Sequence, residues 1–153
     1  MKLNIEFKNI LLLIIIVFIT IYHYYVQHLS EVAFFKRHFD YNNVKRPLFK
    51  CKEKQDTDST LCIGMPSGHA ESITILSCLL YLYKFIPLWL CLIFIFIVSF
   101  QRIVSHMHTI IQVIIGILFG LCYVFLYKNL NLSIFSFLLV LSIGLSFKLL
   151  SLI

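Results

Sequence analysis

Apolar residues along this chain come in long unbroken runs, with polar residues gathered into short stretches between them. Ile10 to Val26 is the first run, and its helix is expected to continue to about Leu29. Its length resembles the hydrophobic stretch of a secretory leader. No small-residue cleavage site follows, so a retained spanning helix is expected. Ser30 to Phe35 is half apolar and reads as an interfacial turn of helix. Lys36 to Met65 is the long polar stretch, a connection of the length that carries function rather than merely links. Ser67 to Phe85, Pro87 to about Gln101, Thr109 to Tyr127 and Leu132 to the C-terminus read as further helices. Pro66 or Ser67 can open the first of these, and Glu71 suits its positive first turn. Pro87 opens the next, at a position where a missing N–H costs little. There is no period-two strand pattern and no internal repeat. The expected fold class is all-α, a single domain over residues 1–153 built as an integral membrane bundle of about five spanning helices.

Composition supports the bilayer. The chain is 60% hydrophobic and 13% charged, with a mean hydropathy of +0.92. A soluble globule of this size leaves too much surface exposed to hide that apolar content. The net charge of +6 is concentrated between Lys36 and Lys54, which suits anionic headgroups or an anionic substrate. No nucleic-acid-binding motif accompanies the charge, so nucleic acid is not an expected partner. Cys78, Cys91 and Cys122 lie in apolar runs and read as small core or lipid-facing residues. Cys51 and Cys62 flank the polar loop, either bridged on an oxidising side or left as two free thiols. No zinc-type cysteine spacing occurs, and no metal or cofactor is expected.

Two polar stretches interrupt the apolar pattern with candidate chemistry. Gly64-Met65-Pro66-Ser67-Gly68-His69 opens one helix, and Arg102 to Gln112 joins two others. Following the spans from side to side puts both stretches, and the basic loop, in the same compartment. Gly68 allows close backbone approach, and the helix after it offers N–H groups to an anion. Ser67 adds a hydroxyl, and His69 can carry a proton near neutral pH. Arg102 sits at a helix end, where an unpaired charge would be costly. His108 and Gln112 are four residues apart and share a helix face, so Gln112 can orient the imidazole and leave its other nitrogen free to attack. Taken singly, these residues also read as a helix start with interfacial histidines and a snorkelling arginine. A metal or haem protein using His69, His106 and His108 is a further alternative, but it leaves Arg102 and Ser67 without a purpose.

Over roughly Lys36 to Tyr127, these residues resemble the type 2 phosphatidic acid phosphatases, membrane phosphatases related in fold to vanadium haloperoxidases. That family carries K-x6-R-P, P-S-G-H and S-R-x5-H-x3-D. Arg46-Pro47 is similar to the end of the first motif, Pro66 to His69 matches the second, and Arg102, His108 and the trailing Gly116 match the third. The resemblance implies that His108 is a nucleophile forming a phosphohistidine and that His69 protonates the leaving oxygen. It implies that Arg46, Ser67, Gly68 and Arg102 hold the phosphoryl oxygens, with no metal. Three positions depart from the pattern: Phe39 replaces the lysine, Gln101 the serine and Gln112 the aspartate. Glutamine at this place, with Gly64-Met65-Pro66, resembles the dolichyl-diphosphate phosphatase branch. That branch implies a polyprenyl diphosphate substrate and a site facing the lumen of the endoplasmic reticulum. The family commonly has six spans, against about five here.

A lipid phosphatase acting on a phosphorylated membrane lipid is therefore the expected function. A catalytically impaired relative that binds phosphorylated lipid or a partner membrane protein is the alternative, favoured by Phe39 and Gln101. The charge distribution by itself places the motif side in the cytoplasm. The resemblance places it in the lumen, and the phosphate-binding cations account for part of the charge excess.

Overall fold

The computed structural model describes residues 2–40, 44–47 and 63–129, with side chains from residue 8 onward. It is all helical, as the unbroken apolar runs predict. Helix α1 spans Lys2–Tyr22, and α2 spans His28–His38. A π-helical turn, His23–Gln27, joins them into one continuous rod. Helices α3 (Gly68–Leu82), α4 (Leu88–Val104) and α5 (Ile110–Asn129) complete the described bundle. The expected fifth span from Leu132, and Cys51 and Cys62, lie outside the described residues.

The Lys8–His38 rod and Ile110–Asn129 are long and apolar enough to cross a membrane, and Leu88–Val104 is a shorter apolar helix. The distribution of side chains is inverted relative to a water-soluble fold. Ile10, Ile14, Phe18 and Ile21 point outward from α1, and Phe96, Ile97 and Phe100 from α4, while His23, Glu71, Ser77 and Gln112 are buried. Such an exterior is consistent with a membrane protein.

Helix α3 is the centre of the bundle, lying against α1, α4 and α5. Ile16 and Ile19 of α1 pack with Ile75 and Leu79 of α3 and with Val124 and Tyr127 of α5. The closest approach is between α3 and α5, where two glycines spaced by one helical turn remove the side chains that would hold the helices apart. A Cβ on Gly116 would stand 2.6 Å from the Ser67 carbonyl oxygen, and one on Gly120 would stand 2.8 Å from that of Glu71. On the α4 side, the Sγ atoms of Cys78 and Cys91 lie 3.9 Å apart.

Two helices end earlier than, or differently from, the sequence pattern. Helix α3 stops at Leu82 rather than Phe85, because Lys84 adopts a left-handed φ of 63°. Its N–H reaches the Tyr81 carbonyl, and Phe85 N–H reaches that of Leu80, closing a Schellman turn. Helix α4 ends in the same way. His106 has a φ of 53°, with its N–H on Ile103 O and that of Met107 on Arg102 O. The chain thereby reverses within a few residues and delivers His108 beside the start of α3.

Candidate active site

The site grows from backbone pairing between the two ends of the polar loop. Lys45 and Ile63 form an isolated antiparallel bridge, and Gly64 N–H donates to Val44 O at 2.7 Å. The Arg46 Nε–H donates to Ile63 O at 3.1 Å, which brings Arg46 back over the start of α3. Beneath this pairing, Val44, Ile63 and Met65 pack with Val32 and Phe35 of α2, and Ile115 and Phe119 of α5 flank them.

His108 is buried, with 4% of its surface exposed. Its Nδ1 lies 2.9 Å from the Gly64 carbonyl oxygen. A carbonyl can only accept, so Nδ1 carries the proton and Nε2 of the neutral ring keeps its lone pair. The orienting contact expected from Gln112 is therefore made by Gly64. Burial first, then the positive charges of Arg46 and Arg102, hold the imidazole down from 6.5 to about 4, against the opposing effect of the Gly64 bond and a smaller one from Gln112. His108 is thus an uncharged base at neutral pH.

Gln112 works one step further back. Its Oε1 accepts from Thr109 N–H at 3.1 Å, while Thr109 Oγ1 accepts from Gln112 N–H at 3.3 Å. This reciprocal pair is a capping box at the start of α5. The Nε2 of Gln112 donates to Lys45 O at 2.9 Å and lies 3.4 Å from Val44 O. Its backbone carbonyl accepts Ser67 N–H at 3.1 Å. One residue therefore ties together the segments that carry Arg46, Ser67 and His108. Gly64 is confined by the same side chain, since a Cβ there would stand 2.6 Å from Gln112 Oε1 and 2.9 Å from Arg46 Cγ.

Ser67 occupies the N-cap position of α3 but makes no side-chain cap bond. Among the described residues its buried hydroxyl meets no hydrogen-bond partner, and neither does the buried Arg102 Nε. Buried donors left open in this way are costly unless something else meets them. Burial and the nearby Arg102 charge lower the Arg46 guanidinium from its ordinary value. His69, exposed at the first turn of α3, feels both guanidiniums. Arg46, Ser67, Gly68, His69, Arg102 and His108 are thus brought to one place. Phe39 is an exposed aromatic where the first motif has a lysine.

Sequence reasoning missed a second polar cluster directly behind this site. Glu71, expected to complement a helix dipole, is fully buried, with its Oε1 2.6 Å from His23 Nε2. His28 Nδ1 lies 3.3 Å from Glu71 Oε2 and 3.8 Å from Glu31 Oε2. Tyr123 OH donates to Glu31 Oε1 at 2.6 Å. His23 and His28 are five residues apart, which on an α-helix would turn them about 140° from each other. The π-helical turn, with its i→i+5 bond from His28 N–H to His23 O, stacks them on one face, so that both reach Glu71. His23, Glu31 and Glu71 offer ligand atoms within 4.8 Å of one another, enough to converge on a cation. The contacts already made among them, and to Tyr123 and His28, occupy much of that capacity.

Two guanidinium groups, a buried hydroxyl and a neutral imidazole near the head of α3 suit a helical bundle to phosphoryl transfer. The comparison with protein families agrees with that class. Residues 10–135 match the PAP2 superfamily, and the chain belongs to it. Membership implies phosphatase-type activity on phosphate esters. Comparisons with curated proteins and with solved structures give no match.

Proposed function

We propose that the protein is a metal-independent lipid phosphatase, hydrolysing a phosphate or diphosphate ester of a lipid anchored in the bilayer. One observation carries the reading: Ser67 Oγ and Arg102 Nε are buried donors without partners among the described residues, in a site with a histidine whose Nε2 retains its lone pair. His108 Nε2 attacks phosphorus, the bond to the lipid oxygen breaks, and His69 gives that oxygen a proton. Water then attacks the phosphohistidine, His69 takes the proton back, and phosphate leaves from His108. Arg46, Ser67, Gly68 N–H and Arg102 balance the charge on the phosphoryl oxygens. These donors are cations, a hydroxyl and an amide, a set that holds phosphate directly rather than through magnesium.

The resemblance to the dolichyl-diphosphate phosphatases supports a polyprenyl diphosphate substrate, a multi-pass topology and a site facing the endoplasmic reticulum lumen. The test is phosphate release from a panel comprising phosphatidic acid, polyprenyl phosphate and polyprenyl diphosphate, with and without chelator. Turnover that survives chelation and is inhibited by vanadate supports the reading. Activity lost in chelator and restored by magnesium overturns the mechanism. The second reading, a binder of phosphorylated lipid without turnover, is favoured by the neutral partner of His108: the Gly64 carbonyl fixes the tautomer but offers no full negative charge. Binding of the same lipids without phosphate release would establish it.

A further inference from the structure

His28 lies against Gly68 at the head of α3, and none of the motifs includes it. A Cβ on Gly68 would stand 2.5 Å from His28 Nε2 and 2.7 Å from its Cδ2. The glycine at the head of α3 therefore lets an imidazole edge reach the backbone whose N–H groups open the helix. The ring is also stacked on Tyr24 at 6.1 Å, and Tyr24 in turn meets His69 edge-on at 5.3 Å. Tyr24 thus places the rings of His28 and His69 in one neighbourhood.

The other side of the ring is anchored. Nδ1 is sealed from solvent and faces Glu71 Oε2 at 3.3 Å and Glu31 Oε2 at 3.8 Å. These are ion-pair approaches rather than well-aligned hydrogen bonds. Two carboxylates enclosed in an apolar bundle need positive charge beside them, and a carboxylate cannot supply it. His23 satisfies Oε1 of Glu71, and Tyr123 satisfies Oε1 of Glu31. Among the described residues, His28 is the basic group that faces Oε2 of both carboxylates. An imidazole held in this way is cationic and keeps a donor on Nε2.

We infer that His28 is a phosphate-binding residue, an imidazolium anchored through Nδ1 by Glu71 and Glu31 that presents Nε2–H to the phosphoryl group at Gly68. It supplies a third positive charge to a site in which Phe39 provides none. The ligand chemistry is a phosphoryl dianion, whether carried by a lipid or free as inorganic phosphate. The inference rests on the phosphatase reading for its purpose, but its test does not need turnover.

The experiment measures inorganic phosphate and vanadate binding to the purified full-length protein in lipid nanodiscs, beside inhibition of lipid phosphate hydrolysis by phosphate. His28→Gln is expected to weaken phosphate on the order of ten- to a hundredfold, the effect of losing one charge-assisted hydrogen bond. His28→Lys is expected to recover part of that loss. Unchanged phosphate binding in a folded His28→Gln protein would overturn the inference. Should His28→Gln not fold, histidine-selective 15N NMR of the unaltered protein decides the matter. Phosphate should then perturb three imidazoles, those of His28, His69 and His108, and perturbation of the last two alone counts against it. A protein that binds phosphate through His28 but releases none from any lipid would sink the phosphatase reading and leave this one standing. A protein that binds no phosphate at all sinks both.

Discussion

The carbonyl of Gly64 receives the Nδ1–H of His108 across 2.9 Å, and the partner that sets the attacking nitrogen is therefore backbone. A side-chain carboxylate would orient the ring and also stabilise its positive charge. A carbonyl does the first and only weakly the second. The charge that develops on His108 must be compensated by the phosphoryl group itself, which puts a premium on how closely Gly64 is placed.

His108→Ala is expected to lower turnover by about a thousandfold or more, with the bundle intact. His106 is the proper control, because it serves as the left-handed residue of the α4 Schellman turn. His106→Gly keeps that conformation available and should retain near-normal activity. Phosphate release by both variants, alongside their thermal unfolding, checks the assignment, and the reverse pattern would show that His106 is the nucleophile.

Gly64→Ala places a methyl 2.6 Å from Gln112 Oε1 and 3.0 Å from its Cδ. The amide must shift, which strains its ties to Lys45 and Thr109 and moves the carbonyl that holds His108. A loss of about 1–3 kcal/mol in stability is expected, together with a fall in kcat. Wild-type kcat in this variant would show that Gly64 can be relaxed at no cost.

Gln112→Asp restores the residue type of the third motif, yet it is expected to be harmful. A carboxylate has no N–H for Lys45 O or Val44 O, and it would face both carbonyls unpaired. Gln112→Ala removes the capping box as well, at about 1 kcal/mol. Both variants should lose stability and activity together, measured as unfolding midpoint and kcat. Full activity in Gln112→Asp would mean that the amide donor has no part in assembling the site.

His108 also predicts a pH dependence. Its imidazole is held at about 4 in the folded protein against 6.5 ordinarily. Between those values the unfolded chain binds a proton that the folded chain refuses. The contribution of neutral His108 is complete above about 6.5 and is lost as pH falls toward about 4, amounting to at most about 3 kcal/mol. Unfolding midpoints of the wild-type protein and of His108→Gln, followed from pH 7.5 down to pH 4, should therefore converge toward acid. Parallel curves would show that His108 titrates normally.

Gly116→Ala tests the helix contact behind the site. Its Cβ would meet backbone atoms of Ser67 at 2.6, 3.2 and 3.3 Å, and backbone cannot swing aside as a side chain does. Stability should fall by about 1–3 kcal/mol, and phosphate affinity should fall with the displacement of Ser67. Leu118→Ala, on the exposed face of the same helix, is the comparison and should change neither.

The helical class was legible because long apolar runs leave the backbone no other way to satisfy itself in lipid. The positions of Ser67, His69, Arg102 and His108 were legible because polar residues stand out against such runs. The partner of Nδ1 was not, since a backbone carbonyl carries no residue type to read. Nor were His23 and His28 legible as neighbours, because an α-helical period puts residues five apart on different faces. Gln112 stands out in the sequence as a polar residue on an apolar helix, but its spacing from Thr109 reads as a capping box only once the helix start is known.

The π-helical turn places one residue more between Ile16 and Glu31 than an ordinary helix needs to keep their faces aligned. Removing one residue from within it would leave His23 and His28 one α-helical turn apart, about 40° from each other and still on one face, whereas adding one residue would rotate α1 against α2 by about 100°. Either Ile16 and Ile19 would leave their places against Ile75 and Leu79, or His28 and Glu31 would leave theirs beside Glu71 and Tyr123. Tyr25, on the outside of the same turn, faces no such demand and can change freely among apolar residues. At this point in the gene, a single-codon insertion is the damaging lesion, a deletion is absorbed by the turn, and most missense changes on the outer face are silent.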